Sequence, residues 1–89
     1  MITVKLIKDS YFEVTVTLKS TTKHEVHVSH DFYQSLTDGK ISYENLIKAS
    51  FEFLLERESN SSILSQFDLK VISHYFPEYE KEMIRRLKC

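Results

Sequence analysis

His24, His27 and His30 lie three residues apart in one short stretch, and imidazole is the side chain best suited to holding a transition metal or passing a proton near neutral pH. Their spacing opposes both uses. Side chains alternate between the two faces of a strand, so His24 and His27 point apart, and His24 to His30 spans ~20 Å at ~3.3 Å per residue. No cysteine or carboxylate cluster stands at ligand spacing beside them. No metal is expected, and the three read as edge or surface histidines. Catalytic chemistry is equally thin. The single glycine, Gly39, leaves no material for a phosphate-cradling loop or a nucleophile elbow. Cys89 is the only thiol. At the last position it can form no disulfide framework and cannot be held against His74 as a nucleophile. Neither an enzyme nor a cofactor is expected.

Twelve Lys and Arg against thirteen Asp and Glu leave a formal net charge of −1 at pH 7, and no section of the chain is a basic block. A strong electrostatic footprint on nucleic acid is therefore not expected. One DNA-binding arrangement still fits the order of segments. The strand KHEVHVS, a short helix, a glycine turn and a capped helix look like the ribbon–helix–helix fold, in which paired strands from two subunits enter the major groove. Lys23, Glu25 and His27 would be its outward residues. Against it, Glu25 would face phosphate, the first helix is short, and two strong strands precede the supposed ribbon. If those strands bond to residues 23–29, no edge remains for a second subunit. The basic end of the chain has a local explanation. Glu78, Glu80 and Glu82 come early in the last helical segment and Arg85, Arg86 and Lys88 late, the order a helix dipole favours.

The elements that position these residues follow from periodicity. Residues 2–7 alternate, with Ile2, Val4 and Leu6 on one face. After the turn Asp9-Ser10, the clearest strand places Phe12, Val14, Val16 and Leu18 on one side and Tyr11, Glu13, Thr15 and Thr17 on the other. Residues 23–29 alternate again, with Val26 and Val28 inward and Glu25 and His27 outward. Ser29 caps a short helix carrying Phe32, Tyr33 and Leu36, which Gly39 ends as a left-handed C′ residue. Residues 63–67 allow at most a turn and a half of helix. Asp68 caps a further short helix with Leu69, Ile72 and Phe76 on one side, and Pro77 opens the last one, with Tyr79, Met83 and Leu87 inward.

Residues 43–58 form the central helix. Ser42 supplies the N-cap, and Ile41 with Leu46 a hydrophobic staple. At about 100° per residue its apolar side chains, Tyr43 through Leu55, sweep roughly 240°. A helix packed on one neighbour needs an apolar stripe only somewhat wider than ~100°. This helix therefore has at least two neighbours, a sheet plus either another helix or a second subunit. If Phe51 or Leu55 is exposed, the helix marks an interface; if both are buried, its width is architecture. A second aromatic concentration, residues 75–79, is either a plug for the core or a recognition patch. Tyr75 and Tyr79 exposed together would favour the patch.

Glu56-Arg57-Glu58, Ser62-Ile63-Leu64, Phe67-Asp68-Leu69 and Tyr75-Phe76-Pro77 stand at set distances from one another. This combination, FEFLLERE, SSIL and FDLKVISHYFPEY, resembles a family of short, uncharacterised bacterial proteins from the second strand to about Tyr79. The resemblance implies a bacterial protein and no activity, cofactor or binding residue. A proline often follows Glu-Arg-Glu in that pattern; Ser59 stands there here, a change in loop stiffness more than in fold.

Together these readings predict one α+β domain over residues 1–89. A three-stranded antiparallel β-meander (residues 1–29) is followed by three or four helices packed on one of its faces (residues 30–89). No apolar run approaches the ~18 residues of a membrane span, and no signal-peptide core begins the chain, so a soluble cytoplasmic protein is expected. The function expected is protein–protein interaction, with a protein partner or by self-association as a homodimer, through Phe51, Leu55, Tyr75, Phe76 and Tyr79.

Overall fold

The alternating segments become strands because each has one apolar face to bury and one polar face to leave in water. β1 (Ile2–Lys8), β2 (Tyr11–Thr17) and β3 (Thr21–His27) form an antiparallel meander. The computed structural model describes residues 1–87; Lys88 and Cys89, and the expectations attached to them, lie outside the described residues. Asp9 and Ser10 connect the paired Lys8 and Tyr11, with Asp9 in the left-handed region at φ 33°. Phe12, Val14, Val16, Val26 and Val28 are buried on one face. Leu18, expected among them, is exposed, because β2 ends at Thr17 and Leu18 belongs to the following turn.

α1 (His30–Thr37) starts where Ser29 Oγ accepts the Phe32 N–H, and it stops at Asp38 and Gly39, both in left-handed backbone. α2 (Tyr43–Leu55) begins with Ser42 Oγ accepting the Asn45 N–H at 3.1 Å. It ends at Leu55 rather than Glu58. The N–H groups of Arg57 and Glu58 both turn to the Leu54 carbonyl, and the Arg57 guanidinium donates to the Phe53 carbonyl at 3.1 Å. An orphan carbonyl at the helix end is thereby satisfied.

The largest departure from expectation follows α2. In place of a helical turn over residues 63–67, a single 3-10 turn (Asn60–Ser62) leads into a short strand, β4 (Gln66–Asp68), parallel to β3. The sheet therefore has four strands in the order β1-β2-β3-β4, not three antiparallel ones. The outer edge of β3 is what recruits it. The Glu25 N–H donates to the Ser65 carbonyl and the Leu69 N–H to the His27 carbonyl, both at 2.8 Å. Backbone groups at that edge would otherwise lack partners. Asp68 caps a turn rather than a helix, its Oδ1 accepting the Lys70 N–H at 3.1 Å. α3 (Val71–Tyr75) and α4 (Tyr79–Leu87) are the last elements among the described residues, with Pro77 in the turn before α4 instead of at its first position.

The wide apolar arc of α2 is covered on two flanks. Toward the sheet, the Phe51 ring lies between His24 and Phe67, at centroid distances of 5.4 and 6.0 Å. Toward α4, Phe53 meets Tyr79 edge-on at 5.4 Å, and Ser50 meets Tyr79 and Met83. Phe51 is completely buried and Leu55 half-buried. The Phe51 flank of the helix is therefore architecture, while Leu55 is neither exposed nor fully buried.

Candidate functional site

Of the five residues expected at an interaction surface, two belong to the core. Phe51 fills the space between helix and sheet, and Tyr79 is wholly buried beneath α2. The Tyr79 hydroxyl donates at 2.6 Å to Ser50 Oγ, which itself donates to the Leu46 carbonyl at 2.8 Å. Burial pushes the Tyr79 phenol above its ordinary range, and the Ser50 hydrogen bond only partly offsets this. Tyr75 and Tyr79 are thus not exposed together. Leu55 is half-buried, one turn along α2 from Phe51, and is not part of the groove lining. Tyr75 and Phe76 remain, and they share a site.

That site is an apolar groove of about 350 Å³. Tyr75 and Val71 of α3 form one wall, the loop residues Ile63 and Leu64 another, and Phe67 of β4 lies at its sheet end. Tyr75 is 63% and Leu64 50% exposed, while Phe67 and Phe76 are half-buried. Glu58 is the one charged residue of the lining, and it makes no ion pair among the described residues. A cleft of about 500 Å³ between the end of α1 and α4 is more polar, with Ser35, Asp38 and Lys40 in its wall.

The groove wall hangs on a buried polar chain centred on His24. This histidine is only 2% exposed, on the inner face of β3, and not at an edge or on the surface as expected. Its Nδ1–H donates to the Leu64 carbonyl at 2.7 Å, and Nε2 accepts the Thr22 hydroxyl at 2.9 Å. Thr22 Oγ1 in turn accepts the Asn60 side-chain amide at 3.1 Å, and that amide also reaches the Ser20 carbonyl at 3.0 Å. Each buried polar atom finds a partner, the condition under which such groups stabilise rather than cost. His24 shares its face with Val26 by strand alternation, so its inward placement was available from spacing. Its acceptor on Leu64, forty residues away, was not.

The other histidines point elsewhere. His27 sits on the open face of the sheet, its Nδ1–H donating to Asp68 Oδ2 at 2.8 Å and its ring 4.8 Å from that of Tyr11. This pair orients the His27 ring, and among the described residues no hydroxyl or thiol is bonded to it. His30, at the start of α1, meets the Tyr43 hydroxyl at 3.2 Å. Lys23, Glu25 and His27 do share the open face. β3, however, is paired with β2 on one edge and β4 on the other, which leaves no edge for a ribbon with a second subunit.

The basic end of α4 is turned inward on the protein's own acids. Arg86 bridges Glu56 and Glu82, each at 2.7 Å, and Arg85 pairs with Glu82. Hydrogen bonds from Arg85 and Arg86 hold the Glu82 carboxyl down at about 2, and the Arg86 hydrogen bond lowers that of Glu56. Among the described residues no helix is long and apolar enough to cross a membrane. No family profile, curated protein or solved structure matches the chain.

Proposed function

We propose that this chain is a cytoplasmic protein–protein interaction module, and that its groove receives a segment of a different protein carrying apolar side chains beside a Lys or Arg. The observation that carries the reading is the pairing of exposed Tyr75 and Leu64 in an apolar groove whose one charged residue, Glu58, has no ionic partner among the described residues. Exposed aromatics around a concave apolar surface are the usual anchors of recognition. An unpaired carboxylate at the rim selects for a basic neighbour.

Selection of peptides from a random display library on the immobilised protein tests this. Enriched sequences should combine apolar residues with a basic one and lose binding to Leu64→Asp. They should change their charge preference on Glu58→Lys. Enrichment that survives Leu64→Asp, or no enrichment over that variant, overturns the proposal.

A further inference from the structure

The far edge of the sheet carries an independent signal. β1 is an edge strand, and its pairing with β2 sets which backbone groups remain free. Met1 and Thr17 exchange both hydrogen bonds, at 2.8 and 2.9 Å. By antiparallel alternation Thr3 and Lys5 also turn toward β2. The N–H and C=O groups of Ile2, Val4 and Leu6 therefore point outward, in a row. Edge strands that stay single usually carry exposed lysines, a proline, an inward-pointing charge or a bulge that blocks pairing. Over residues 2–6 β1 carries one such device, Lys5 on the open face, and no proline, inward-pointing charge or bulge; its irregularity falls only between Leu6 and Lys8. Around this row Leu6 is 53% and Ile7 48% exposed.

We propose that two copies of this chain associate through β1, antiparallel, about a two-fold axis at Val4. The occupant is a second copy because the edge is self-complementary in this register. Val4 faces Val4 of the second copy, Ile2 faces its Leu6, and Thr3 faces its Lys5. The apolar pairs fall on the helix side of the sheet and the polar pairs on the open side, and all the outward backbone groups of Ile2, Val4 and Leu6 find partners. A two-fold at Lys5 would set two lysines directly opposite, which is unfavourable. A two-fold at Thr3 would leave Leu6 unpaired. The association joins the two sheets into one continuous sheet and closes as a dimer, since an isologous contact uses the same patch on both copies. Being at the opposite edge from β4, it leaves both grooves accessible.

Sedimentation equilibrium of the full chain from micromolar to millimolar concentration tests the association. The wild-type protein should move from monomer to dimer. Leu6→Lys, at a position exposed in the monomer, should raise the dissociation constant about tenfold or more, with a melting temperature unchanged at concentrations where both proteins are monomeric. Leu6→Pro should do the same, since it removes an N–H that faces away from β2. In a Cys89→Ser background, Val4→Cys should oxidise to a covalent dimer more readily than Thr3→Cys, because only residue 4 meets its own copy. The proposal is overturned by a monomer at every concentration, by a dimer that Leu6→Lys leaves intact, or by cross-linking that favours residue 3. Should Leu6→Pro fail to fold, Leu6→Lys alone decides. A dimer abolished by Tyr75→Asp but not by Leu6→Lys would move the contact to the groove and overturn the β1 assignment.

Discussion

The two edges of the sheet are built in opposite ways. β1 is seven residues long, antiparallel to its neighbour, and continuous with it through a tight turn. β4 is three residues long, parallel to β3, and reached only after two helices and a loop. Backbone hydrogen bonds, a local hairpin and the packing of Ile2 and Val4 against the core hold β1, so its outer backbone edge is free to do something else. β4 has too few ladder bonds to stand alone and depends on side chains: His24 and Asn60 hold the loop from inside, and His27 with Asp68 clasps it from outside. The lesson is that a short edge strand can be as well specified as a long one when buried polar groups, rather than length, define its place. It also separates roles. The β4 edge supports a groove for another protein, and the β1 edge presents a backbone for a second copy.

The sharpest break in this comparison comes from His24→Ala. It leaves the Leu64 carbonyl without its buried partner and a void against Phe51, a loss of about 3 kcal/mol in chemical denaturation. Hydrogen exchange should quicken at residues 66–69 more than along β1 and β2. Equal acceleration at both edges would mean that β4 is not held by its side chains. Tyr79→Phe should act in the other sense. It removes one hydrogen bond beneath the middle of the sheet, where Ser50 still bonds to Leu46, so stability should fall by about 1 kcal/mol and both edges should lose protection alike. A fall confined to one edge would show that α4 belongs to that edge.

The smallest effect concerns neither edge. Glu82 has its folded carboxyl held down at about 2 by Arg85 and Arg86, below the ordinary value of 4.5. A depressed carboxyl adds stability that is fully present above its unfolded value and is lost as pH falls from about 4.5 toward about 2. Side-chain resonances of Arg85 and Arg86 should therefore shift across that window in the wild type and not in Glu82→Gln. The group is solvated, so the change should be a loosening of the last turn of α4 with no step in exchange at β1 or β4.

Much of this architecture was legible in the residues. The alternation of residues 11–17 is the observed β2, and Ser29 and Ser42 cap the helices they were expected to cap. The 240° arc of α2 correctly demanded two neighbours. Two errors share one cause. Residues 63–67 were expected to hold up to a turn and a half of helix and His24 to lie at an edge or on the surface, because each was weighed with its sequence neighbours alone. The strand pattern Gln66-Phe67-Asp68 is too brief to outweigh nearby helix signals. It becomes a strand only because β3 has a free edge beside it. Tyr79 was expected inward by helical spacing, and its hydroxyl is buried with a partner because Ser50 on another helix accepts it. In the groove, Tyr75 and Phe76 were visible as aromatics beside a helix break. Leu64 and Glu58 were noted only as motif residues and not as candidates for a surface, since nothing local distinguishes them from other loop and helix-end residues in that respect.

The sequence by itself determined the kinds of element, their caps, their apolar faces and the near-balance of charge, because these depend on interactions within a few residues or on composition. Only the tertiary structure decided which strand lies at which edge, what the inward histidine bonds to, and which aromatics stay in contact with water. Those outcomes depend on partners some thirty to forty residues away, such as Leu64 for His24, Ser50 for Tyr79 and Asp68 for His27. No local pattern encodes the meeting of two such distant groups. The packing of α2 between sheet and α4 brings them together.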